Sequence, residues 1–102
     1  MKTKLAEIEL LLARIERLAA ELHVDPDGHV RRSAVELRAA FETRAAVEPL
    51  VWRVRESIEM LQRTNEDGTR REFRQRAHAV GYLEDVMRAE LVPMLRQVGF
   101  DV

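Results

Sequence analysis

The chain has 102 residues, which is the length of one small domain. With 46% hydrophobic and 34% charged residues it has the composition of a folded protein, and the absence of cysteine excludes disulfides, thiolate metal sites and cysteine nucleophiles. The net charge of −1 gives no general attraction to nucleic acids or anionic membranes. We therefore expect a single cytoplasmic domain without a membrane-spanning segment.

The first predicted helix covers about residues 3–22. Its apolar residues recur at spacings of three and four, the period of an amphipathic helix: Leu5, Ile8, Leu11, Leu12, Ile15, Leu18, Ala19 and Leu22. Charged residues such as Glu9 and Arg14 interrupt this run at helical intervals, so the segment does not have the pattern of a secretory signal. The broad apolar face predicts contacts with more than one neighbour.

The stretch HVDPDGHV, residues 23–30, raises the question of a metal site. It contains four side chains that can ligate a divalent metal: His23, Asp25, Asp27 and His29. The same stretch has the x-Pro-Asp-Gly-x pattern, in which Pro26 presets φ, Asp27 bonds local backbone and Gly28 supplies a positive φ. We favour the second interpretation and predict a turn over residues 23–32, with no bound metal or cofactor.

The second predicted helix covers about residues 33–63. It opens with SAVE, where Ser33 and Glu36 form a capping box. Two core positions recur every seven residues after it: Leu37, Arg44, Val51 and Ile58 at one, and Ala40, Val47, Val54 and Leu61 at the other. Pro49 removes a backbone hydrogen bond inside this helix, so we expect a kink near residues 45–49. We expect the charged Arg44 to extend from the seam to water.

The third predicted helix covers about residues 70–98, after a turn at 64–69. Thr69 and Glu72 form its capping box. The main apolar stripe consists of Phe73, Ala77, Val80, Met87, Leu91, Met94 and Val98. Pro93 predicts a kink, and Gly99 predicts a left-handed residue that ends the helix, with Phe100 folded back onto Leu95.

These elements predict an all-α, three-helix chain whose second and third helices form a long antiparallel hairpin. A second apolar stripe, Tyr82, Val86, Ala89 and Pro93, follows helical spacing on the third helix, and Phe41, Ala45 and Trp52 form another on the second. The first helix is too short to cover both. We therefore expect a homo-oligomer, with a dimeric helical bundle favoured, whose contact includes Trp52, Tyr82 and Val86.

A cluster of arginines at the start of the third helix gives the main alternative. Its members are Arg70, Arg71, Arg74 and Arg76. Such a cluster could bind a phosphate backbone or an acidic protein, although no aromatic residues alternate with the arginines, and Glu56 and Glu59 are expected nearby. We favour a solvated, salt-bridged face over nucleic-acid binding. His78 has no nucleophile or carboxylate placed to work with it, so the sequence predicts a non-enzymatic protein.

Two stretches resemble known families. EPLVWRVRESIEML together with LVPMLRQVGFDV resembles the bundle-forming region of the GrpE chaperone nucleotide-exchange factors, which implies a helical, dimeric co-chaperone. FETRAAVEPL is similar to the opening helix of the FCD ligand-binding domains of GntR-type regulators. The metal site of that family has an Asp four residues before a His. This sequence has Arg74 four residues before His78, so the resemblance does not imply a metal here.

Overall fold

A computed structural model describes residues 3–22, 28–64 and 70–102 of the chain, with side chains described in all of these ranges except at 63, 64 and 70–77. Every regular element in these ranges is helical, and no strand occurs in them. The all-α prediction is therefore confirmed. The helices form four rods, where the sequence predicts three.

The first rod is α1 (Lys4–Ala20), for which the sequence predicts 3–22. Thr3 caps it: its Oγ1 accepts a hydrogen bond from the Ala6 N–H at 3.2 Å and so satisfies one of the free amides of the first turn. The side chains buried along α1 keep the predicted period: Ile8, Leu11, Leu12, Ile15 and Ala19. Leu5, which the sequence assigns to the same face, is 50% exposed.

The second rod, α2 (His29–Glu42), begins four residues before the predicted start. Gly28 is its N-cap residue and has a φ of 65°, so the glycine of the predicted turn starts the helix directly. Ser33 is consequently inside α2, where its hydroxyl donates to the His29 carbonyl at 2.7 Å. The capping-box prediction at Ser33 and Glu36 is wrong, and so is the part of the predicted turn that covers residues 29–32.

The predicted second helix is divided in two by a break between α2 and α3 (Glu48–Thr64). Arg44 has a φ of 57°, and the Ala45 N–H donates to the Ala40 carbonyl at 2.8 Å, which together close α2 with a left-handed cap. Pro49 then lies in the first turn of α3, where a proline costs no hydrogen bond because that amide has no partner in the helix. The expectation of a kink within one long helix is therefore corrected to a full break.

The heptad positions remain in the core on both sides of this break. Seven of the eight predicted seam residues are buried. Five are at most 1% exposed, namely Leu37, Val47, Val51, Val54 and Ile58, and the other two, Ala40 and Leu61, are 7% and 8% exposed. Arg44 is the exception, since it is exposed at the end of α2 and not part of a helical seam. The periodicity thus identifies the buried face correctly although the helix is not continuous.

The last rod joins α4 (Arg70–Asp85), a π-helical segment (Val86–Leu91) and α5 (Val92–Gln97). The Val92 N–H bonds to the carbonyl of Met87, five residues back, as in a π-helix. The wider turn lies directly before Pro93, whose ring would otherwise crowd the carbonyl four residues back. The chain therefore stays helical through Pro93. The Thr69 and Glu72 cap and the stripe residues Phe73 and Ala77 lie outside the described side chains.

The π-helical segment shifts the apolar stripe by one residue. Leu91 is followed on the buried face by Leu95, which is fully buried, whereas Met94 is only half-buried. An α-helix turns about 100° per residue, so one additional residue in a turn rotates all later side chains by about that angle. Leu95 thus takes the fully buried position predicted for Met94, while Met94 and Val98 are partly buried against the core.

The chain after α5 turns back as predicted. Gly99 has a φ of 102°, and the Phe100 N–H donates to the Leu95 carbonyl at 3.0 Å. This is the backbone pattern of a Schellman cap. The Phe100 ring lies 6.1 Å from that of Phe41, so the chain end is packed against α2.

The four rods form a closed ring in which each packs against the next. α1 contacts α2, α2 contacts α3, α3 contacts α4, and the last rod returns to α1 through all three of its parts. α2 and α3 are antiparallel, since Ser33 lies opposite Ser57 and Glu36 lies opposite Arg53. α1 is therefore one of the four helical rods that surround the core. The predicted arrangement, a long two-helix hairpin with α1 packed outside it, is not observed.

Candidate interaction surfaces

The three residues predicted to form a subunit contact do not lie on one face. Val86 is 1% exposed and belongs to the core, because the apolar stripe of the last rod includes both Val86 and Met87 where the π-helical segment begins. The prediction that Val86 lies on an uncovered face is therefore wrong. Tyr82 and Trp52 are 44% and 51% exposed, and each belongs to a different surface.

Tyr82 lies in a groove between α1 and α4. Arg14 donates a hydrogen bond to the Tyr82 hydroxyl, and its guanidinium carbon lies 5.6 Å from the centre of the tyrosine ring. The same guanidinium makes an ion pair with Glu90 at 3.5 Å. The groove continues along Leu18 and Leu22 towards His78. Much of the polar capacity of Tyr82 is thus used within the chain, and the apolar side of the ring faces the groove.

Trp52 lies on the outer face of α3, away from the buried heptad positions. Arg55 covers part of it, with its guanidinium carbon 5.3 Å from the indole ring centre. An indole that is half exposed on a small helical domain is unusual, because tryptophan contributes one of the largest apolar areas of any side chain. Trp52 is therefore the most prominent apolar group that the described surface leaves open.

The arginine cluster lies in the first turns of α4. The backbone of Arg70, Arg71, Arg74 and Arg76 is helical, but their side chains are outside the described part of the structure. The predicted partner-binding role of this cluster is therefore untested. His78, which follows the cluster, is exposed.

A second groove, between α1 and α2, was not predicted from the sequence. It has a volume of about 420 Å³ and is lined by Leu10, Ala13, Glu16, Arg17, Ala20, Arg31 and Arg38. Leu10 is 61% exposed beside it. The signal that could have found it is a second three-four repeat on α1, in which residues 6, 10, 13, 17 and 20 follow one another on the face opposite the core stripe.

The polar wall of this groove is fixed by Arg38. Its guanidinium bonds Glu16 across the two helices at 2.9 Å and Glu42 on its own helix at 3.2 Å. The hydrogen bond to Glu16 is the largest cause that holds the pKa of Arg38 above its ordinary value, with Glu42 contributing as well. Glu16 is thus neutralised within the chain, and the groove keeps an apolar floor with a basic edge.

The predicted absence of a metal at residues 23–30 stays a prediction. His23, Asp25 and Asp27 lie outside the described residues, and His29 is exposed at the first turn of α2. Elsewhere in the described ranges, no three His, Asp or Glu side chains are grouped so that they could hold a metal ion. None of the helices in those ranges combines the length and the apolar character needed to cross a bilayer.

Comparisons of the chain with models of protein families, with curated proteins and with solved structures find no match. They give no support to either family resemblance, so the surfaces described above are the basis for inferring function.

Proposed function

We propose that the protein is a non-enzymatic helical interaction or adaptor module that acts as a cytoplasmic homo-oligomer, with a dimer favoured. The observation that carries this proposal is the exposure of Trp52. It is the only tryptophan of the chain, and 51% of it is exposed on α3. Aromatic residues of this kind supply a disproportionate share of the energy of protein–protein contacts. Tyr82 is the second aromatic group that we assign to partner binding.

The polar groups of the described core support a non-enzymatic role. The hydroxyls of Ser33 and Ser57 donate to the carbonyls of His29 and Arg53, at 2.7 and 2.8 Å, so each is committed to its own helix. A hydroxyl becomes a nucleophile when a base accepts its proton, and here the protons are donated to backbone carbonyls.

The test is the molar mass of the protein and of the Trp52→Glu variant, measured by light scattering during size-exclusion chromatography. The parent should run as an oligomer of the 11.8 kDa chain at roughly 100 µM, an affinity range ordinary for small interfaces. A glutamate at position 52 should shift the population to the monomer, since a carboxylate in an apolar contact costs several kcal/mol.

The matched control is Ala39→Glu, which adds the same charge to the exposed side of α2. It should leave the molar mass of the parent unchanged. Circular dichroism checks that both variants keep the helical content of the parent. A parent that stays monomeric at this concentration would overturn the proposal, as would an equal effect of the two substitutions.

A further inference from the structure

The groove between α1 and α2 has an apolar lining on α1. Leu10, Ala13 and Ala20 contribute it, and they lie within about 80° of one another around the helix, by the rotation of about 100° per residue. Leu10 and Ala20 are separated by about 15 Å along the helix axis, or roughly three turns. Leu10 is 61% exposed. The lining is therefore a narrow strip whose length suits a short helix of a partner.

We infer that this groove binds an amphipathic helix of another protein, one whose apolar stripe has acidic residues on both flanks. Such a helix can lay its apolar stripe along a groove between two helices, and the small side chains of Ala13 and Ala20 allow its backbone to approach closely. The inference goes beyond the proposed self-association and does not depend on it. Trp52 is on α3, which lies across the ring from α1.

The charges of the groove favour an acidic partner. Its lining contains three arginines and one carboxylate, that of Glu16, which Arg38 bonds at 2.9 Å. The same guanidinium also bonds Glu42, on its own helix, at 3.2 Å. Arg17 on α1 and Arg31 on α2 are the two exposed cations of the lining, so each helix of the groove presents one. Carboxylates on both flanks of a bound helix would each meet a guanidinium, whereas lysines would meet like charges.

Arg17 is the cation best placed to bind a partner. Its side chain is exposed and makes no hydrogen bond or ion pair with the described residues. A carboxylate of a partner can therefore bind this guanidinium without breaking a contact inside the chain. Reversing its charge tests the groove for the same reason, since the fold does not depend on that side chain.

The apolar lining favours a peptide over a nucleic acid, which also carries negative charge. A phosphate backbone gains little from contact with Leu10 or the alanines, and the described lining has no aromatic side chain on which a base could stack. The whole chain carries −1, so it has no general attraction for a polyanion. An acidic amphipathic helix uses both the apolar lining and the arginines.

The probe is a fluorescein-labelled, helix-forming peptide of about 15 residues, with leucines at three-four spacing and glutamates on both flanks. Fluorescence anisotropy during titration with the protein should give a dissociation constant of about 10–100 µM. Two matched peptides replace the glutamates by lysines, or keep the composition but scramble the order so that the leucines share no face. Each should bind about tenfold more weakly or worse.

Variants of the protein locate the site. Arg17→Glu should weaken the acidic peptide about tenfold and strengthen the lysine peptide. Ala13→Gln places a longer side chain with good helix propensity on the apolar lining, and it should weaken the acidic peptide about tenfold. Lys4→Glu is the matched control, because it reverses a charge at an exposed site of α1 about 180° from Ala13. It should leave binding unchanged, and so should Trp52→Glu.

Circular dichroism checks that the variants keep the helical content of the parent. Equal affinity for the acidic and lysine peptides would overturn the inference, as would equal effects of Arg17→Glu and Lys4→Glu. Two other results would also overturn it by assigning the groove to another occupant. One is tighter binding of a short DNA duplex than of the acidic peptide, lost in Arg17→Glu. The other is a parent that binds no peptide and whose self-association Ala13→Gln weakens. The role of Trp52 is measured separately, by molar mass without peptide.

Discussion

Arg44→Gly should stabilise the protein. Arg44 has a φ of 57°, a left-handed conformation that costs a residue with a Cβ roughly 1–2 kcal/mol and costs glycine almost nothing. Glycine also gives the unfolded chain more conformational freedom, which lowers the free energy of unfolding by roughly 0.5–1 kcal/mol. The Arg44 side chain is exposed and makes no hydrogen bond or ion pair with the described residues, and glycine keeps the backbone N–H that donates to the Phe41 carbonyl, so nothing else is lost. The net gain should be about 0.5–1 kcal/mol.

Thermal unfolding followed by circular dichroism measures this gain. For a domain of this size it corresponds to an increase in Tm of about 2–6 °C. Arg44→Ala is the matched control, since it removes the charge and the long side chain but keeps the Cβ, and its Tm should stay close to that of the parent. If the Tm of the glycine variant is equal to or below that of the alanine variant, Arg44 is not under left-handed strain. Our explanation of the break between α2 and α3 would then be wrong.

The remaining predictions concern the other helix boundaries and the π-helical segment. Gly99→Ala should lose about 1 kcal/mol of stability in the same melts, since alanine is strained at a φ of 102°; an unchanged Tm would argue against that cap. Leu95→Ala should cost about 3 kcal/mol in urea titrations and Met94→Ala about 1 kcal/mol, and equal losses would contradict the shifted stripe. Ser33→Asp should destabilise by several kcal/mol, because it buries a carboxylate, whereas a serine at an N-cap would tolerate the change.

The sequence predicts the core of this protein better than the course of its backbone. The spacing of Val47, Val51, Val54 and Ile58 identifies the buried face of α3, since burial follows the helical period whether or not a helix continues beyond it. The break at Arg44 has no such signal. An arginine in the left-handed conformation is disfavoured locally and is stabilised here by packing on both sides of it, notably by Phe41 and Val47.

The interaction surfaces were predicted only in part, for a related reason. Trp52 and Tyr82 are exposed as the helical periodicity indicates, while Val86 is buried beside Met87 at the start of the π-helical segment. The second three-four repeat on α1 indicates an outer face with small and apolar residues, but it does not indicate which side of that face borders α2. The pairing of Glu16 with Arg38 in the structure determines that side.

The break between α2 and α3 is also a place where two chains could exchange parts. The seven-residue repeat is continuous through Arg44, so a straightened helix would keep its seam while it carried α3 away from its own α2. A second chain in the same state could then receive that α3, which is the topology of a domain-swapped dimer, and short hinges between packed helices are where such swaps arise. The closed, unswapped chain is the one that holds Arg44 in the left-handed conformation, and straightening the helix would relieve that strain.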